Sequence, residues 1–230
     1  MPVCWDDVTT EQRAQLAAYR DLILDSNRKF NLTAIREADA IDGRLIAESL
    51  RLLPYLPQDP GRRAVDIGTG AGIPGIPLAI ARPDMQFTLI DSTGKKVRFL
   101  QMVVDALGLT NVTPLHERAE NAAQDLAFRE QFDVVLARAV TQLAALAEIG
   151  LPFLALGGRA LFPKGEIIDD ELARAETAID LTGGARISAN LLPEISCSGV
   201  TRLIILDKIE PSLARYPRRP GIPEHDPLGG

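Results

Sequence analysis

A short apolar strand, Ala64-Val65-Asp66-Ile67, runs straight into the turn Gly68-Thr69-Gly70-Ala71-Gly72-Ile73-Pro74-Gly75. Glycines at such a turn let the backbone take positive φ and leave no Cβ in the way, so a ligand can lie against main-chain N–H groups at the start of the next helix. A strand that feeds a glycine turn and then a helix opens an alternating strand–helix pattern, and that narrows the chain to α/β architectures built on a parallel sheet.

The rest of the chain keeps this alternation. Strands are expected at about Arg63–Ile67, Gln86–Asp91, Val112–His116, Phe132–Ala137 and Arg159–Pro163, with helices between them. Most of these segments are apolar throughout, which suits strands covered by helices on both faces. After a helix over Ile167–Leu181, the segments Ala185–Leu192 and Val200–Ile209 are placed to pair as an antiparallel hairpin. The expected fold is therefore a doubly wound, mostly parallel, Rossmann-like sheet of about seven strands.

Ahead of the sheet, Thr9 to about Asn27 opens with a capping-box pattern, Thr9-x-x-Gln12, and carries Leu16, Tyr19 and Ile23 at helical spacing. A second helix is expected from Ala38 to Leu53, where Pro54 and Pro57 stop it. The pattern divides the chain into an N-terminal helical cap (1–60), a ligand-binding core (61–210) and a Pro/Gly/Arg-rich tail (211–230). From Tyr216 the tail is expected to stay mobile until a partner binds it.

At 230 residues and 46% apolar, the chain has ample core for one α/β domain with a helical extension. No apolar run reaches the roughly 18 residues of a membrane span, and Met1-Pro2-Val3-Cys4-Trp5 does not begin a basic-then-apolar leader. A cytoplasmic monomer without membrane partners is expected. Cys4 and Cys197 are far apart and lack C-x-x-C spacing, so neither a disulfide framework nor a metal site is indicated. The net charge of −6 argues against wholesale attraction to nucleic acid; any polyanion site must be local. Acidic residues gather at Glu166, Asp169, Asp170, Glu171 and Glu176, and basic ones at Lys208, Arg215, Arg218 and Arg219, each set read as a solvated face.

Two ligand readings fit the glycine turn. As Asp66-x-Gly68-x-Gly70-x-Gly72 it is the first motif of S-adenosylmethionine (SAM)-dependent methyltransferases; as Gly70-x-Gly72-x-x-Gly75 it is a dinucleotide fingerprint. The register favours the first, because Gly68 and Thr69 intervene between the strand and a dinucleotide motif, and Pro74 stands where the helix should open. Asp91, about 20 positions on, would bond ribose hydroxyls in either reading.

Ligands in doubly wound sheets sit beyond the carboxyl ends of the strands. There the second strand offers Asp91, then Ser92, Thr93 and Gly94 beside an adenosine; the third offers Ala119 and Glu120 to an adenine edge. The fourth sends Arg138 into the same crevice, for a methionine carboxylate or an RNA phosphate. Which of Arg138 and Lys164 faces the methionine end stays open. His116 and His225 are the only histidines, and no catalytic dyad is evident.

Asn31-Leu32-Thr33-Ala34-Ile35, the Asp66-to-Pro77 segment, Arg118-Ala119-Glu120, Ala137-Arg138-Ala139, Lys164-Gly165 and the Tyr216-Pro217-Arg218-Arg219 tail together resemble the bacterial 16S ribosomal RNA guanine-N7 methyltransferase family, also called glucose-inhibited division protein B. The resemblance runs from about residue 16 to 228. It implies a class I SAM-dependent methyltransferase whose cofactor site includes Gly68, Gly70, Ile73, Asp91, Ser92, Thr93, Gly94, Ala119, Glu120 and Arg138. The implied partner is 16S rRNA or the small ribosomal subunit; for such an RNA, Arg28, Lys29, Lys95, Lys96, Arg98, Lys164, Arg218 and Arg219 are candidate phosphate contacts. Leu45, Glu48 and His225 depart from the family's usual His, Asp and Lys. Guanine N7 has an in-plane lone pair and no proton to lose, so no catalytic base is expected, only alignment, which is worth roughly 7–11 kcal/mol. The readings left beside this one are a methyltransferase for another RNA, a protein or a small molecule, a noncatalytic RNA-binding factor, and an NAD-dependent oxidoreductase.

Overall fold

A computed structural model describes residues 8–165, 169–192 and 201–229. The first helix, α1 (Thr10–Asn27), starts at the expected capping box: the Gln12 N–H donates to Thr9 Oγ1 at 3.2 Å and the Thr9 N–H donates to Gln12 Oε1 at 2.9 Å. Its Leu16, Tyr19 and Ile23 face inward and are fully buried. The single helix expected over 38–53 is instead α2 (Ala38–Ile41), a π-helical stretch (Asp42–Ala47) and α3 (Glu48–Leu50), followed by a short 3₁₀ turn at Leu53–Tyr55.

The sheet strands are β1 (Arg63–Ile67), β2 (Gln86–Asp91), β3 (Val112–His116), β4 (Phe132–Leu136), β5 (Leu154–Lys164), β6 (Gly184–Leu191) and β7 (Arg202–Lys208). They lie in the order β3-β2-β1-β4-β5-β7-β6. The first five are mutually parallel, and β7 runs antiparallel between β5 and β6. Connecting and flanking helices are α4 (Gly75–Ala81), α5 (Gly94–Leu107), α6 (Ala119–Ala122), α7 (Leu143–Gly150), α8 (Asp169–Leu181) and, in the tail, α9 (Ile222–His225). The hairpin of the last two strands is as expected; the expected start of its second strand, Val200, and of the preceding helix, Ile167, lie outside the described residues.

The pleat sorts the core into two layers. Ala64, Leu89, Val134 and Leu136 point to one face, where they meet α1, α4 and α5; Val65, Ile67, Ile90 and Val135 point to the other, against α7 and α8. The helical cap thus shares one apolar cluster with a face of the sheet. Strand order reverses between β2-β1 and β4-β5, so the switch point lies beside the carboxyl end of β1, where the glycine turn begins.

The tail is docked, contrary to expectation. Arg129 donates to the carbonyls of Ser212 and Tyr216 at 3.0 and 2.8 Å, and Gln124 Nε2 donates to Pro217 O at 2.8 Å. Arg218 donates through Nε and Nη2 to the two oxygens of Glu148 at 2.9 and 2.7 Å. Glu148 is completely buried on α7, and an unpaired carboxylate there would cost several kcal/mol. Lys208 is likewise no surface residue: it is fully buried, and its ammonium donates to Leu151 O, Thr182 O and Ser212 Oγ.

Gly75 lets α4 lie close on the sheet, since a Cβ built there meets Leu89 Cδ2 at 2.3 Å and Asp66 Oδ2 at 2.9 Å. Gly75→Ala should destabilise the fold by about 1–3 kcal/mol through overpacking. Urea unfolding checks this, and an unchanged midpoint would contradict the close approach.

Candidate functional site

The loop after β1 is shaped by a carboxylate beneath it. Asp66 Oδ2 accepts from Thr69 Oγ1 at 2.6 Å and from the Gly75 N–H at 2.9 Å, bending residues 68–75 around itself. Its Oδ1 has no hydrogen-bond partner. Burial pushes the Asp66 carboxyl up to about 7, against the pull of those two bonds. Tyr19 of α1 fixes the loop from above, donating its hydroxyl to Ala71 O at 2.6 Å. Gly68 is required twice over: its φ is +64°, and a Cβ would meet Val140 Cγ2 at 2.9 Å.

A second carboxylate joins this loop to the next. Asp91, 5% exposed at the end of β2, accepts the Gly70 N–H on Oδ2 at 3.0 Å and the Thr93 N–H on Oδ1 at 2.8 Å. A carboxylate offers about four lone-pair sites, so two remain for a ligand's hydroxyls. Lys96 stands 3.6 Å from Oδ2 and balances the charge.

Two cavities meet at Gly68. One, about 470 Å³, is lined by Ile90, Asp91, Ser92, Ala119 and Glu120, with Glu224 from the tail. The other, about 570 Å³, is lined by Gly70, Ile73, Leu32, Thr33, Leu45 and Arg138. At the first, Glu120 is almost wholly buried and its Oε1 accepts from Arg118 Nη2 at 2.9 Å and the Gly221 N–H at 2.8 Å. Burial alone would raise this carboxyl, but those bonds and its own backbone hold it below its usual range. The tail therefore forms a wall here, which sequence reading missed.

At the second cavity, Arg138 Nη2 donates to Arg44 O at 2.6 Å while Nη1 is buried without a partner. Burial lowers its pKa, opposed by Glu48, though a guanidinium stays protonated. Ala139 beside it takes φ of +53°, a strained value for a residue with a Cβ, at the turn that lines this cavity. Among the residues lining this cavity none is Asp, Glu, His or Cys. Leu45, one of the departures from the family pattern, lies in its wall.

The other expected residues divide clearly. Thr93 and Gly94 sit at the start of α5 and line neither cavity. Lys164, the rival of Arg138, donates to Thr141 O and Glu171 Oε1, both at 2.8 Å, and lines neither. Lys164 and Arg218 also serve as ties within the fold: each is bound to an acid of its own chain, Glu171 and Glu148. Arg28 is exposed and pairs with Asp25 at 3.3 Å. Lys29 and Lys95 meet across one groove, and Arg219 borders another formed by the tail and α6. Among the described residues no three His, Cys, Asp or Glu side chains gather to hold a metal ion, and no helix is long and apolar enough to cross a membrane.

Comparison with known proteins agrees with this geometry. TrmN from Thermus thermophilus superposes with a TM-score of 0.55 at 23% identity, covering 71% of this chain and 48% of its own, so this chain spans about half of it. M. jannaschii TYW2, solved in complex with AdoMet, gives 0.52 at 16% identity, covering 69% and 74%. An antiparallel β7 departs from the parallel order of dinucleotide-binding sheets and, with the loop-built crevice, defines the class I methyltransferase fold. The family described as rRNA small subunit methyltransferase G matches residues 12–195. A relative of that name from Chloroflexus aggregans is 43% identical over 221 residues, 96% of this chain and 92% of the relative. Another from Brevibacillus brevis is 40% identical, covering 96% and 93%. The chain belongs to the rRNA small subunit methyltransferase G family.

Asp66 makes a pH prediction. Its carboxyl moves from the ordinary 3.8 to about 7 on folding, so between those values the native state holds a proton that the unfolded chain releases. Stability from this group is present at low pH and is lost as pH rises through that window. Asp66→Asn keeps an oxygen for Thr69 and Gly75 and removes the titration. Urea midpoints from pH 4 to 8 should therefore fall more for the wild type than for the variant; parallel curves would contradict the assignment.

Proposed function

We propose that the protein transfers the methyl group of SAM to N7 of a guanosine in 16S rRNA of the small ribosomal subunit. The observation that carries this reading is the pair of cavities joined at Gly68, with an acid at one end and, at the other, a guanidinium whose Nη1 has no partner among the described residues. The chain's own groups fit SAM along that line. Asp91 would hold the ribose hydroxyls, Ala119 and Glu120 the adenine edge, and Gly68 and Gly70 the middle through their backbone. Arg138 Nη1 would take the methionine carboxylate, the acceptor it lacks among the described residues.

When bound, SAM supplies an electrophilic methyl group on a positively charged sulfur. The chain's task is to hold the acceptor in line with it and keep water away, and the apolar wall of Leu32, Leu45 and Ile73 suits both. A cavity without an acid, base or thiol matches an acceptor that has no proton to lose. Such chemistry favours N7 over an exocyclic amine or a hydroxyl. The N7 edge of a paired guanine in RNA lies in a groove that side chains do not enter, so the target is an unstacked loop nucleotide.

Transfer of labelled methyl from SAM to small subunits and to naked 16S rRNA tests the reading, with cleaved RNA mapping the product to guanine N7. Label appearing only on protein, or none despite SAM binding, would overturn it, as would binding of NADH in place of SAM. Within the site, Arg138→Met should weaken SAM binding by roughly 10- to 100-fold, the worth of a hydrogen bond between charged groups. It should leave the binding of decarboxylated SAM unchanged. Equal losses for both ligands would remove Arg138 from the carboxylate.

A further inference from the structure

The end of α1 and one face of α5 form a groove that the methyl-transfer site does not use. Lys29 and Phe30 line one side of it; Lys95, Arg98 and Met102 line the other. Positions 95, 98 and 102 recur at helical spacing on α5, so two cations and a thioether make a single stripe. Among the described residues none of Lys29, Lys95 and Arg98 has a carboxylate partner, whereas Arg20, Arg62, Arg82, Lys164 and Arg218 all do. Three cations without a carboxylate partner among the described residues thus share one groove of a chain whose net charge is −6, a local concentration of positive charge.

The groove also carries apolar surface where phosphate alone needs none. Met102 is 38% exposed, and Phe30 is half-buried at the groove's edge. Cations beside an aromatic ring and a polarisable thioether are the components of a single-strand platform, on which phosphates take the charges and a base takes the flat surface. Its position fixes what it would bind. Phe30 is two residues before Leu32, which walls the Arg138 cavity, and two residues of chain span no more than about 7 Å. One unstacked nucleotide bridges that distance.

Resting on the reading of the neighbouring cavity as the methyl-transfer site, we infer that this groove binds the single-stranded nucleotides flanking the target guanosine, with a base stacked on Phe30 and Met102 and the phosphates held by Lys29, Lys95 and Arg98. The platform therefore selects an unpaired segment before the methyl-transfer site sees its base.

The test uses the full chain, small subunits as methyl acceptor, and a fluorescein-labelled single-stranded oligoribonucleotide of about ten nucleotides as binding probe. Phe30→Leu, which keeps apolar bulk but no ring, should weaken probe binding by roughly 5- to 100-fold. It should raise KM for the subunit with SAM affinity unchanged, and Phe30→Trp should restore both. Lys95→Gln and Arg98→Gln should each flatten the dependence of log K on log salt by about 0.7. Wild-type rates and SAM affinity in all variants show whether the methyl-transfer reading itself stands. If the wild type methylates the subunit while Phe30→Leu and the charge variants leave KM and salt slope untouched, the groove is not an RNA site. Losses with the assembled subunit but not with the single strand would assign the groove to a ribosomal protein and equally overturn the inference.

Discussion

Two carboxylates in series hold the site together. Asp66 draws the glycine loop down through Thr69 and Gly75, and Asp91 ties that loop to the one after β2 through the N–H groups of Gly70 and Thr93. Asp66 is sealed under the loop with no cation, so its charge is expensive, while Asp91 has Lys96 and a path to the cavity. The two acids, on adjacent strands and facing the same turn, are therefore distinguished by their surroundings: Asp66 is sealed beneath the loop, and Asp91 has Lys96 beside it and lines the cavity.

The same logic sorts the arginines and lysines. A cation facing a buried carboxylate of its own chain belongs to the fold, because removing it strands a charge in a low-dielectric interior. Arg218 is of this kind, and through Glu148 it brings the tail to Glu120, closing the end of the cavity that lies beyond Asp91. Arg138 is of the opposite kind: it has one buried nitrogen with nothing to donate to. Lys29, Lys95 and Arg98, which have no acid partner among the described residues, line a separate groove. On the proposed reading, an acidic protein would hold a polyanion through a local group of cations rather than through a basic surface overall.

The order of elements and the central strands were legible because an all-apolar strand followed by a glycine turn has few alternative structures. The N-terminal cap was legible from the Thr9–Gln12 box and the spacing of Leu16, Tyr19 and Ile23. What stayed hidden depends on partners distant in sequence. β5 begins at Leu154, five residues before its expected start, across Gly157 and Gly158. They form the irregular stretch where pairing with β4 slips between Phe132 and Val134. Nothing local in Asp42–Ala47 signals a π-helical turn. The docked tail did leave a trace: Glu148 is the one acid in the otherwise apolar helix Leu143–Gly150, and a buried acid needs a cation from somewhere.

The absence of acid–base chemistry at the Arg138 cavity bears on how selectivity arises. Under the proposed transfer to guanine N7 no proton moves, so nothing in the reaction itself would distinguish one loop guanine from another. Discrimination would then come from which nucleotide reaches the wall formed by Leu32, Leu45 and Ile73. That depends on segments outside the sheet: the loop after α1, held in shape as Asn27 Oδ1 accepts the N–H groups of Leu32 and Thr33 at 3.0 Å each, and the π-helical stretch that carries Leu45. On that reading the parallel sheet would supply the methyl donor's site, and the helical cap, which shares one apolar cluster with it, would supply the choice of base.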